Sequence, residues 1–236
     1  MINNKLYVDI LNRQAKKDGR PHEMALSDFC DFLLDLFSVE AFKGKGADSL
    51  KNWFDERISK KPDFGLLATN WLVDVSMALQ KGTWLDTFGI LYEDMYLTRG
   101  KASQMGQFFT PKSVSDLVSD IIGSTKKQAS SPVISGKTVN DCAAGSGRLL
   151  LSHFAKMSSP DPYVGRTYKY IAQNSDPLAC KMCALNMMAH GMNGVVICQD
   201  TLAMSTPSAV YYVNEVKYPF NTPYYSVRIV SGNPAK

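Results

Sequence analysis

The chain has 236 residues, 45% of them hydrophobic and 20% charged, with a formal net charge of +4. That length supports one or two domains with a sizeable core, and the charge is too small to mark a nucleic-acid surface by itself. Cys30, Cys142, Cys180, Cys183 and Cys198 form no disulfide framework at this length, no apolar run approaches the roughly 18 residues of a membrane span, and Met1-Ile2-Asn3-Asn4-Lys5 does not open a signal peptide, so the expectation is a reduced, cytoplasmic protein without a membrane partner.

Residues 1 to about 105 read as a helical N-terminal domain. Apolar positions recur at helical spacing in Phe29, Phe32, Leu33, Leu36 and Phe37, and again in Trp71, Leu72, Val75 and Leu79. Ser27 is the expected cap of the first of these helices, with Asp28 and Asp31 in its first turn. Gly44 to Gly46 and Lys60-Lys61-Pro62-Asp63 are breaks. This part carries 14 Lys/Arg against 15 Asp/Glu, whereas residues 106–236 carry 12 against 7. A mildly basic second part suits a DNA partner, and it also suits many metabolic enzymes.

Next come Gly106-Gln107-Phe108-Phe109-Thr110-Pro111, an aromatic turn closed by Thr-Pro, and the helical pattern Val114, Leu117, Val118, Ile121, Ile122. A loop rich in Ser and Lys runs to about Gly136. From there strands and helices alternate. Strands are expected over Lys137–Asp141, Tyr168–Ser175, Val195–Gln199 and Val227–Ser231, and helices over Gly147–Lys156 and Pro177–His190. Such alternation predicts an α/β fold, a parallel sheet covered by helices.

Chemistry concentrates at the ends of these strands, where open α/β sheets place their ligands. Asp141 leads into Cys142-Ala143-Ala144-Gly145-Ser146-Gly147, a strand–turn–helix junction. Glycine lets the backbone approach a ligand closely, and the following helix start presents unpaired N–H groups. Asn174-Ser175-Asp176-Pro177 ends the second strand, and Asp176 stands either as a ribose partner or as the N-cap before Pro177. Gln199-Asp200-Thr201 ends the third. Tyr211–Phe220 and Tyr224-Tyr225 are aromatic-rich and read as extra strands covering a sheet edge, or as rings that stack bases. His22, His153 and His190 are isolated, without metal or triad spacing, and Cys180-x-x-Cys183 reads as buried small residues within a helix. Arg148 reads as a solvated helix residue or an anion-placing one.

The aromatic turn, preceded by Gly89-x-x-Tyr92-Glu93 and followed at about 30 residues by the glycine turn, resembles the adenine-specific DNA methyltransferases, and most closely the modification subunits of type I restriction systems. The resemblance implies a Rossmann-like methyltransferase domain over 106–236, with S-adenosylmethionine as cofactor and DNA and other subunits as partners. It implies cofactor contacts from Phe108, Phe109, Thr110, Pro111, Asp141, Ala143, Gly145, Gly147, Asn174, Asp176, Asp200 and Thr201. The family has an acidic residue where this chain has Asn174, which can bond a ribose hydroxyl but brings no charge. Catalysis in the family uses Asn/Asp-Pro-Pro-aromatic after the fourth strand. Here Asn233-Pro234 matches its first half, and Ala235-Lys236 supplies neither the second proline nor the ring. Two readings follow: an enzyme that methylates the exocyclic amino group of adenine, or a weak or inactive cofactor-binding module that contacts DNA or other subunits.

Overall fold

The computed structural model describes residues 2–42, 46–96, 109–124, 137–158, 168–215 and 225–232. The N-terminal region is helical: α1 (Asn4–Lys17), α2 (Ala25–Leu36), α3 (Ala47–Lys60), α4 (Pro62–Gln80) and α5 (Thr87–Tyr92). Local chemistry sets several of their starts. The Asn3 side chain accepts from the Leu6 N–H, Pro62 occupies the first turn of α4, and the Asp86 side chain accepts from the Gly89 N–H. Lys16 and Lys17 close α1 where its dipole favours cations. The expected cap Ser27 lies inside α2, because a 3-10 turn over His22–Met24 feeds the helix two residues earlier.

Beyond these come α6 (Lys112–Ser124), α7 (Arg148–Ser158) and α8 (Pro177–Ala189), alternating with five strands. The strands are β1 (Thr138–Asp141), β2 (Lys169–Asn174), β3 (Gly194–Cys198), β4 (Ala209–Val213) and β5 (Val227–Ser231), in spatial order β1-β2-β3-β4-β5. The first three are parallel, with Val139 opposite Tyr170 and Ala172 opposite Val196. The last two make the sheet mixed, where Val227–Ser231 was expected in a parallel sheet and the aromatic segment as extra strands at its edge. The segment containing Tyr211 and Tyr212 returns antiparallel along β3, and Val227–Ser231 pairs antiparallel with it, not beside a parallel strand. The ten residues between β3 and β4 suffice for an antiparallel return, whereas a parallel neighbour needs a crossover of about a dozen or more. The remainder of the aromatic segment, 216–224, lies outside the described residues.

One buried apolar cluster runs from α1 to β5. Its aromatic centre joins Phe29 to Phe64 at 5.2 Å and Trp71 to Phe88 at 5.1 Å between ring centroids. Helix α8 packs between α2 and the sheet, and Cys180, Met182, Cys183, Leu185, Met187 and Met188 are all buried. The start of β5 is tied to the helical region by the Val227 N–H donating to the Phe37 carbonyl at 2.9 Å. No described helix is long and apolar enough to cross a membrane.

Candidate active site

Because β1, β2 and β3 are parallel, their carboxyl ends share one edge of the sheet, and Asp141, Asn174 and Asp200 are gathered there. The turn after β1 holds Gly145 at φ +55° and Gly147 at φ +94°, a region that other residues enter only with strain. Space is also limiting. A Cβ on Gly145 would lie 2.9 Å from the Phe109 ring, and one on Gly147 would lie 3.0 Å from the Cys183 Sγ. Hydrogen bonds fix the turn to the neighbouring strand ends. The Ala144 N–H donates to the Gln173 carbonyl at 3.0 Å, and the Thr201 hydroxyl donates to the Cys142 carbonyl at 3.0 Å.

Asp141 has one oxygen satisfied by the Ala143 N–H at 3.0 Å. Its other oxygen is buried and has no hydrogen-bond partner among the described residues. Burial pushes this carboxyl above the usual range, and the Ala143 N–H opposes that. An unpartnered buried acceptor is costly, so a ligand donor at this point would recover energy.

The other strand-end groups are used locally. The Asn174 side chain accepts from the Asp176 N–H at 2.8 Å, and Asp176 accepts from the Ala179 N–H at 2.9 Å, the N-cap role open to it in the sequence. Asp200 accepts from the Leu202 and Ala203 N–H groups, each at 3.0 Å, and leaves Leu202 fully projecting into solvent. Phe109 lies edge-on to Tyr92 at 5.2 Å and faces the bare Cα of Gly145. Pro111 starts α6, its carbonyl accepting from Val114 and Ser115.

Phe108, Asn233 and Pro234 lie outside the described residues. Ser231, which precedes the latter two, ends β5 on the same sheet edge as Asp141. Three strands separate β5 from β1, about 19 Å at the usual strand spacing.

A second group of residues joins the helical region to the glycine turn. Asp86 is buried and accepts from Ser146 Oγ and Arg148 Nε, each at 2.6 Å, and from Asn186 Nδ2 at 2.7 Å. Arg148 forks onto Glu93 at 2.8 and 3.0 Å and donates to the Thr110 carbonyl at 3.3 Å. Its side chain is 9% exposed, so it is not the solvated residue that its helix-start position suggested. Burial works against its charge, while Glu93 and Asp86 outweigh that and hold its pKa up.

Sequence reasoning named Glu93 only as part of a motif and missed Asp86 and Asn186. Asp86 did carry a signal, since Asp immediately before an apolar helical stretch is a preferred N-cap. A cavity of about 410 Å³ opens beside this group, lined among others by Trp84, Ile90, Glu93, Phe109, Lys112 and Arg148. A larger one of about 480 Å³ lies on the helical region between charged residues such as Arg20, Asp35 and Lys60, and it contains none of the strand-end groups. The Cys180 and Cys183 thiols are buried in α8, which pushes both upward and away from reactivity.

Residues 84–233 match the family model of N-6 DNA methylases. The chain belongs to that family. The match begins at Trp84, so Asp86, Gly89 and Glu93 fall inside the family's region together with the glycine turn. The chain is also similar to the type I restriction enzyme MjaIX methylase subunit of Methanocaldococcus jannaschii, with 24% identity over 170 residues. Those residues are 70% of this chain and 28% of that relative, so the likeness spans less than a third of the relative's length.

Proposed function

We propose that this N-6 DNA methylase chain binds S-adenosylmethionine at the carboxyl ends of β1, β2 and β3 and serves methylation of the exocyclic amino group of adenine in DNA. The observation that carries the reading is the buried, unpartnered Asp141 oxygen beside a glycine turn with no room for a Cβ. The residues present fit the cofactor. Asp141 offers a carboxylate acceptor, the bare Gly145 admits close approach, and Asn174, Asp176 and Asp200 stand at the adjoining strand ends where ribose and base donors would fall. S-adenosylmethionine supplies an electrophilic methyl group on a sulfonium. The chain's own part is to orient that group, exclude water with Phe109 and Pro111, and, through Asn233 and Pro234, accept hydrogen bonds from the target amino group. DNA and other subunits are its proposed partners, the cytoplasm its proposed location, and about residue 105 the boundary between its helical and methyltransferase domains.

One observation favours the weaker-activity reading for the isolated chain. The strand leading to Asn233-Pro234 ends about 19 Å from β1, and the residues after it supply neither a second proline nor a ring. Catalysis rests on alignment, and loss of base stacking alone removes roughly 1–3 kcal/mol of substrate binding.

Calorimetric titration with S-adenosylmethionine tests the binding claim. Asp200→Ala is expected to weaken binding by about 1–3 kcal/mol. Unchanged affinity in that variant removes Asp200 from the site, and no binding to the unmutated chain removes the cofactor reading. A radiolabelled methyl-transfer assay on mixed-sequence DNA is expected to show weak or undetectable transfer. Robust transfer abolished by Asn233→Ala restores the full enzyme.

A further inference from the structure

Asp86 is the most completely satisfied carboxylate among the described residues of the site. Its Oδ1 accepts from the Gly89 N–H at 2.8 Å and from Asn186 Nδ2 at 2.7 Å. Its Oδ2 accepts from Ser146 Oγ and Arg148 Nε, each at 2.6 Å. A carboxylate has about four lone-pair positions, and all are taken. It therefore has nothing left to offer a ligand, and any role in the site acts through the groups it holds.

Those groups flank the strained part of the turn. Ser146 and Arg148 are the two neighbours of Gly147, whose φ is +94°. Asn186 grips the same place from below, because its Nδ2 also donates to the Ser146 carbonyl at 3.0 Å. Arg148 then extends the hold to the aromatic segment. It donates to the Thr110 carbonyl, and its guanidinium lies 5.4 Å from the Phe109 ring that covers Gly145. Two charged groups thus fix the relative position of 86–93, 109–110, 145–148 and 186.

Cohesion alone does not account for this choice of residues. A continuous apolar cluster already joins the helical region to the sheet through α8, which packs on α2 and α5 and on the strands. Buried ion pairs add little net stability over apolar residues of similar size, whereas their directional bonds fix geometry.

We propose that Asp86 is a positioning residue: acting through Ser146 and Arg148, it sets the glycine turn and the Phe109–Thr110 segment in the conformation that receives cofactor. The proposal rests on the S-adenosylmethionine reading above. It gives the helical segment 86–93 direct control of cofactor affinity, although no atom of Asp86 touches the ligand.

The test compares Asp86→Asn with Asp63→Asn in the full chain. Asp63 pairs with Arg13 and Lys17 between α1 and α4, away from the strand ends, and serves as the control for general destabilisation. Affinity for S-adenosylhomocysteine is read by calorimetry at a temperature where circular dichroism shows each variant folded. Asp86→Asn is expected to lose about tenfold or more, and Asp63→Asn to stay within about twofold. Amide exchange over 143–151 in the ligand-free protein is expected to speed up in Asp86→Asn and not in Asp63→Asn. Wild-type affinity in folded Asp86→Asn overturns the proposal.

If that variant does not fold, Glu93→Gln takes its place, since it weakens the same fork from a partly exposed position. A loss of at least about threefold supports the proposal, and unchanged affinity overturns it. If the unmutated chain binds neither S-adenosylmethionine nor S-adenosylhomocysteine, the cofactor reading falls separately. Exchange over 143–151 then decides whether Asp86 positions the turn, with equal rates in the two variants overturning it.

Discussion

Helices α6 and α8 are both rich in apolar side chains, and the fold treats them in opposite ways. In α8 nearly every residue is buried, including the polar Asn186. Among the described side chains of α6 the buried ones are Ser115 and Ser119, while Val114 and Leu117 point outward. Asp116 sits on the inner side and accepts from Trp84 Nε1 and Ser152 Oγ, each at 2.7 Å. A hydrophobic stripe therefore identifies a helix without saying which face is covered. Neighbours decide that: α8 lies between α2 and strands β2 to β5, whereas among the described elements α6 packs chiefly on α7.

The largest expected effect comes from the buried helix. Leu185 is fully buried in α8, and Leu185→Ala removes apolar contact and leaves a cavity. Urea denaturation is expected to show a loss of about 2–5 kcal/mol. A loss below about 1 kcal/mol would mean that the helix is not buried on that side.

The second effect is a pH dependence at the end of α8. His190 is buried, accepts the Leu85 N–H on Nε2 at 3.3 Å and donates from Nδ1 to the Asn186 carbonyl at 2.7 Å. A proton on Nε2 would face another donor. Burial lowers its pKa from 6.5 to about 4, against smaller opposing effects of the Asn186 hydrogen bond and Asp86. The folded chain thus refuses a proton that the unfolded chain takes up. Stability is fully present above pH 6.5, falls as pH drops, and levels off below about 4. The expected loss across that window is about 3 kcal/mol, measured as the difference between wild type and His190→Gln at each pH. Parallel stability curves for the two proteins would show that His190 does not titrate in this way.

Legibility in the sequence divides along the same line between period and neighbour. The strand expected over Lys137–Asp141 appears as Thr138–Asp141, and the helix expected over Pro177–His190 as Pro177–Ala189. Pro177 and Gly191 mark the boundaries of α8 through backbone rules that hold within one segment. Strand partners are different, because alternation marks a strand without naming its neighbour. Ala209–Val213, in the segment expected to add strands at a sheet edge, consequently returns antiparallel along β3, and Val227–Ser231, expected in a parallel sheet, has this antiparallel strand as its neighbour. Arg148 shows the same limit at the site. Its acidic partners are 62 and 55 residues earlier, and no local pattern encodes such a pair. The strand-end aspartates were legible because strand–turn–helix junctions fix their position whatever the neighbours are.

Asn186 gives the third effect. Asn186→Ala leaves Asp86 and the Ser146 carbonyl without one donor each. The expected cost is about 1–3 kcal/mol, because both acceptors are buried. Denaturation in urea reads it directly. A neutral result would show that water or another donor takes over, and that the polar residue in α8 is not needed to satisfy the network.

The smallest effect is expected from the substitution that repeats the first one on the other helix. Leu117 in α6 is 59% exposed, so Leu117→Ala removes little buried area. Alanine is also the better helix former, which offsets part of the lost contact. The net change is expected to stay within about 0.5 kcal/mol in the same urea experiment. The same chemical change on two apolar helices would then differ several-fold, with burial rather than residue type setting the cost. A loss of about 2 kcal/mol or more at Leu117 would break the comparison. It would mean that in solution the outer face of α6 is covered as fully as α8, and that its leucine belongs to a core.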